Sequence, residues 1–222
     1  MLFIISAGNQ NNGGLDIGIS FDEFKRLTQE QRNERIFSYL KNEIRNLRVL
    51  SPAESINSLS IGALYKDTCR VTENANQAAA VSEGLPSPIS SFGLGYNRII
   101  TPDLYYCGGR KFLIRSIDDR LKWPTSGSEP GCKVAAPYGD GTESGQAFSF
   151  GTSAAAAQIT HEAGKCYDVL NEVFLNETGN LIPRDYAAIL LKGMLTHGAS
   201  WDTCSDELSR LTQLPICRLH RW

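Results

Sequence analysis

Four consecutive alanines (154–157) directly follow Gly151-Thr152-Ser153, and this stretch restricts the fold more tightly than any other. An alternation of Phe148 and Phe150 with Ala147, Ser149 and Gly151 leads into it as an extended segment. Alanine has the highest helix propensity and the smallest side chain, so a helix can begin abruptly here and pack close to its neighbours. Ser153 therefore falls at a helix N-terminus, where unpaired backbone N–H groups and the helix dipole favour negative charge. A nucleophilic hydroxyl whose attack creates an oxyanion suits such a place. So does a plain N-cap role for Thr152 or Ser153, and the motif alone leaves both open.

The chain is long enough for one domain with a sizeable core: 222 residues, 41% hydrophobic and 21% charged. A net charge of −2 and a pI near 6.0 give no reason to expect nucleic acid or an anionic membrane as partner. The apolar run at residues 1–5 is too short for a signal-peptide core or a membrane span. The expectation is a cytoplasmic protein, unless a leader upstream has been lost. Six cysteines (69, 107, 132, 166, 204 and 217) show no Cys-x-x-Cys pair and no histidine at ligand spacing. They read as mostly buried thiols rather than a zinc site.

Several segments recur in a telling order. Phe3-Ile4-Ile5-Ser6-Ala7-Gly8-Asn9 reads as a buried strand ending in a small-residue turn with an amide side chain. A loop from Pro52 then leads into an apolar strand at residues 59–64. Ser90-Ser91-Phe92-Gly93, Ile100-Thr101-Pro102-Asp103-Leu104 and Gly108-Gly109 follow, and Gly-Thr-Ser-Ala-Ala comes last. In this order they resemble the second half of the subtilisin-like serine protease (subtilase) domain, over most of residues 1–200. The resemblance implies an α/β fold, a partial subtilisin-like and mostly parallel sheet flanked by helices. It also implies Ser153 as nucleophile, the Asn9 amide as oxyanion-hole donor, and a polypeptide substrate.

Small side chains at Ser6, Ala7 and Gly8 would leave room beside them for a large substrate residue. No cofactor is expected. Calcium is common in the family, but no dense Asp/Asn loop suggests a site. Asp103 reads as a structural carboxylate.

In subtilases the acid and base precede the nucleophile in the order Asp, His, Ser. Here only short sequence precedes the Ser-Ala-Gly-Asn segment, so the chain reads as a fragment whose acid and base lie upstream. His161 is eight residues along the same helix, about 12 Å from Ser153 at 1.5 Å per residue. His197 ends a different helix and His220 lies in the tail; all three are read as structural. A serine without its base is a poor nucleophile, so the chain alone is expected to be inactive, with the missing N-terminal half as a possible partner. The other readings are a non-catalytic pseudoprotease or protein-binding module on the same scaffold, and a different serine hydrolase. The absence of a Gly-x-Ser-x-Gly elbow argues against an α/β-hydrolase.

Residues 15–49 are expected to form a helical insertion. Ser20 with Glu23 and Thr28 with Gln31 are capping boxes, and an apolar stripe through Ile36, Leu40, Ile44 and Leu47 suggests helix to about residue 48. Arg32, Arg35, Lys41, Arg45 and Arg48, interleaved with acids, read as a solvated face. Residues 69–88 read as mostly loop, and Gly139-Asp140-Gly141 as a turn. Helices are expected over residues 154 to about 175, with Ile159, Ala163, Cys166, Leu170 and Phe174 facing in, and about 184–196, with Tyr186, Ile189, Leu190 and Met194 facing in. Residues 201–222 are an unassigned tail.

Overall fold

The computed structural model describes residues 1–10, 13–95, 97, 100–125, 127–136, 145–200 and 204–212. The turn expected at residues 139–141, part of the turn after Asn9, Cys217 and His220 lie outside them. The first half of the described chain runs β1 (Ile4–Ser6), α1 (Phe21–Arg26), α2 (Gln29–Asn42), β2 (Leu59–Leu64), β3 (Gln77–Ala78), β4 (Gly93–Leu94), β5 (Ile100–Thr101) and β6 (Leu104–Cys107). Then come β7 (Leu113–Arg115), β8 (Leu121–Lys122), β9 (Cys132–Ala135), β10 (Gln146–Ser149), α3 (Thr152–Thr178), α4 (Arg184–His197) and α5 (Ser205–Thr212).

The fold is α/β. A parallel sheet of order β1-β2-β6 has Ile4 opposite Leu59 and Ile61 opposite Leu104. The β2 run Leu-Ser-Ile-Gly-Ala-Leu is almost wholly buried, as a central parallel strand covered on both faces should be. Leu59, Ile61, Ala63 and Leu104 meet Ala155 and Ile159 of α3 on one face. Behind the sheet, Ala7 packs with Val49 and Ala53. β1 is an edge strand, with Phe3 beside it exposed.

A second and larger core lies beneath the insertion. Phe21, Phe24, Ile36, Phe37 and Leu40 pack there with Tyr65, Leu85, Leu113, Trp123 and Leu208. Both capping boxes form, with Ser20 and Thr28 each accepting the backbone N–H three residues on. Leu208 comes from α5, so part of the tail is a core element. Burying one such side chain contributes about 1.5–3 kcal/mol.

Four expectations need correction. First, α2 ends at Asn42, not near residue 48; a turn follows, yet Leu47 still reaches the core, so the apolar stripe outlasts the helix. Second, Arg32 is buried rather than solvated. Its guanidinium donates to the Phe24 and Lys25 carbonyls and to both Glu73 oxygens at 3.1 Å, and it lies over the Phe24 ring. Third, no residue of α4 is buried, and Tyr186, Ile189, Leu190 and Met194 face outward. The half-buried side is Ala187, Ala188, Leu191, Lys192 and Leu195. Only Ile159 and Ala163 of the stripe foreseen on α3 are fully buried. Fourth, the five described cysteines are half-buried free thiols, not buried ones.

Glu73 also accepts Lys25 Nζ at 2.7 Å. Burial pushes its carboxyl up, but the Lys25 hydrogen bond and the Arg32 and Lys25 charges outweigh that and hold it below the ordinary 4.5. A carboxyl lowered in the folded state stabilises above its unfolded value, and that contribution is lost as pH falls through the folded one. Glu73→Gln is therefore expected to destabilise by about 1 kcal/mol at neutral pH, the carboxylate being partly solvent-screened. The gap in Tm to the parent should close below about pH 4.5; a gap that persists at pH 3 would contradict this account.

Candidate active site

Asn9 meets the start of α3, one residue before Ser153, at the C-terminal ends of the parallel strands. Past β1 the ladder continues with Ala7 N donating to Ile61 O at 2.8 Å, and Gly8 turns with φ +103°. Ser91 N donates to Gly8 O at 2.9 Å, and the Ser91 hydroxyl lies 3.2 Å from the position a Gly8 Cβ would occupy. Gly8 N donates to Thr152 Oγ1 at 3.2 Å, which docks the turn against the start of α3.

That start is held on its other side by the sheet. Gly151 N donates to Gly108 O at 2.7 Å, just beyond β6. Gly151 is the N-cap, so neither Thr152 nor Ser153 fills the cap role left open by the sequence. Its φ of +119° and ψ of −176° lie where almost only glycine goes, and a Cβ there would sit 2.8 Å from both Asn9 amide atoms. Gly151→Ala is expected to cost about 1–3 kcal/mol from the backbone alone, with further loss from displacing Asn9. Thermal unfolding checks this against Gly164→Ala, where nothing lies within 4 Å of the new Cβ. The control should be neutral or slightly stabilising; an equal Tm for the two variants would overturn the strain argument.

The Asn9 carboxamide lies across Gly151 and grips the first helical residue. Thr152 N donates to Asn9 Oδ1 at 2.9 Å, and Thr152 Oγ1 does so at 3.1 Å. Two donors on Oδ1 identify it as the acceptor end, which makes Nδ2 the donor end. Ser153 is the second residue of α3 and is exposed. Its N–H belongs to the first helical turn, whose amides have no partner within the helix. The Asn9 carboxamide is thus held on the residue just before an exposed serine in the first turn of α3.

Of the other residues foreseen at the site, Ser6 is half-buried at the end of β1 and Ala7 is buried in the core behind the sheet. Both backbone polar groups of Gly8 are engaged, as described above. Asp103 Oδ2 accepts Ser60 N at 2.8 Å and ties β6 to β2, in keeping with a structural carboxylate. His161 is exposed, over two turns down α3 from Ser153. His197 ends α4, whose Lys192 donates to the Ile56 and Ser58 carbonyls at the N-terminal end of β2, the opposite end of the sheet. Among the described residues, no group of three or more His, Cys, Asp or Glu could hold a metal ion. None of the described helices is long and apolar enough to cross a membrane.

The residue the sequence reading missed is Thr152, weighed only as a cap. A hydroxyl next to Ser153 and complementary to a distant carboxamide was the available signal.

The model of the subtilase family matches residues 1–208. The chain belongs to the subtilase family. Searches of curated proteins and of solved structures found no match. The subtilase assignment makes this a serine-type peptidase in kind. The parallel sheet with α3 against it is the corresponding α/β arrangement.

Proposed function

We propose that this chain carries the nucleophile and the oxyanion hole of a serine endopeptidase acting on polypeptides. Ser153 Oγ attacks the scissile carbonyl carbon, and negative charge develops on the carbonyl oxygen. Asn9 Nδ2–H and Ser153 N–H donate to that oxygen, positioned in advance of the reaction. The Ser153 proton passes to a base and from it to the leaving amine, after which water resolves the acyl-enzyme. Neither base nor acid is assigned to a residue of this chain; an upstream Asp and His are the proposed source. By itself the chain is inactive.

The observation that supports this reading is the pair of hydrogen bonds from Thr152, the residue before Ser153, to Asn9 Oδ1. The test is hydrolysis of an unfolded protein by a polypeptide joining this chain to the upstream Asp and His segments. Turnover that disappears in Ser153→Ala supports the reading. Turnover unaffected by that change, or none at all with both segments present, overturns it; the second result favours a binding module on the same scaffold.

A further inference from the structure

Three thiols gather below the start of α3, on segments that hold it in place. Cys107 ends β6, Cys132 opens β9, and Cys69 lies in the loop after β2. Cys69 Sγ donates to the Gly131 carbonyl, the peptide just before Cys132, at 3.4 Å. Cys132 Sγ points at the Cys107 carbonyl oxygen, 4.0 Å away. The Gln158 amide of α3 joins the last two, donating to Cys107 O at 2.8 Å and to Cys132 Sγ at 3.3 Å. All three thiols are unpaired, and the three residues are half-buried. Burial pushes the Cys132 thiol up, partly offset by the hydrogen bond from Gln158, so it stays protonated at neutral pH and its exchange is best followed at mildly alkaline pH.

We propose that Cys132 is a redox modification site: it exchanges with a low-molecular-weight disulfide and is then joined to Cys69 or Cys107. In the first step the Cys132 thiolate attacks one sulfur of the reagent, its S–S bond breaks, and one reagent thiol leaves. In the second, the Cys69 or Cys107 thiolate attacks the Cys132 sulfur and the other reagent half leaves as thiol. Two protein thiols are oxidised and one reagent disulfide is reduced. The product ties β9 to the loop after β2 or to the end of β6. β9 pairs with β10, which leads into Gly151, so the bond would fix the segment carrying Ser153.

The test is oxidation of the 222-residue chain by oxidised glutathione, natively and in denaturant, with disulfides mapped by mass spectrometry of unreduced peptides. Cys132 joined to Cys69 or Cys107 makes up roughly one in eight of the pairs that six cysteines can form. The native chain should give these pairs as the main product, and the denatured chain near that chance level. Cys132→Ser should remove them while leaving the far-ultraviolet circular dichroism unchanged. A native pattern equal to the denatured one, native disulfides without Cys132, or a mixed disulfide at Cys132 that is never resolved would each overturn the proposal.

Discussion

Changing Ser153 to alanine, in a polypeptide that also supplies acid and base, is expected to lower kcat about 10⁶-fold, a figure taken from subtilisin, a member of this family. The neighbours of Ser153 along α3 do not replace the lost nucleophile. Thr152 Oγ1 is already engaged with Asn9 and with the Gly8 amide, and Ala154–Ala157 offer no hydroxyl. KM should change little, because the serine oxygen adds almost nothing to ground-state binding. In the isolated chain the same change should have no effect, since no base stands beside Ser153 in the proposed arrangement. Comparing the two backgrounds separates loss of the nucleophile from loss of folding.

The second large effect is expected at Asn9. Asn9→Ala should lower kcat by about 10²–10³ with KM nearly unchanged, because the oxyanion develops only on the way to the transition state; the magnitude was measured on the equivalent donor of subtilisin. Asn9→Asp is the sharper variant. It keeps an oxygen to accept from Thr152 N and Oγ1, so the start of α3 should stay docked. It replaces the donor by a negative charge facing the oxyanion, so kcat should fall at least as far as in Asn9→Ala. Stability retained with kcat lost would assign Asn9 to the reaction. Near-normal kcat in Asn9→Asp would restrict it to holding α3.

What the sequence disclosed follows from the range of the interactions involved. Ser20 with Glu23 and Thr28 with Gln31 were legible because a capping box is complete within four residues. Residues 59–64 were legible because a strand buried on both faces is small or apolar at nearly every position. Arg32 was misread because its carboxylate partner, Glu73, lies 41 residues away. A helix face carrying Arg looks solvated until that partner is known. Periodicity showed α4 to be a helix but not which side faces in. Its small side, through Ala187 and Ala188, turned out to pack, leaving Tyr186 and Ile189 outside.

The site divides in the same way. A hydroxyl at a helix start was readable from the residues themselves. The pairing of Ser153 with the distant Asn9 carboxamide entered only through resemblance to the family. The part played by Thr152 became visible only once both ends of that pairing had coordinates.

Mapping the adduct of a peptidyl fluorophosphonate on the polypeptide that includes acid and base tests the central claim most directly. The account predicts a single phosphonyl group on Ser153 and a rate of labelling that drops sharply in Asn9→Asp. An adduct on any other residue, or labelling of Ser153 at the same rate with and without the Asn9 donor, would contradict it.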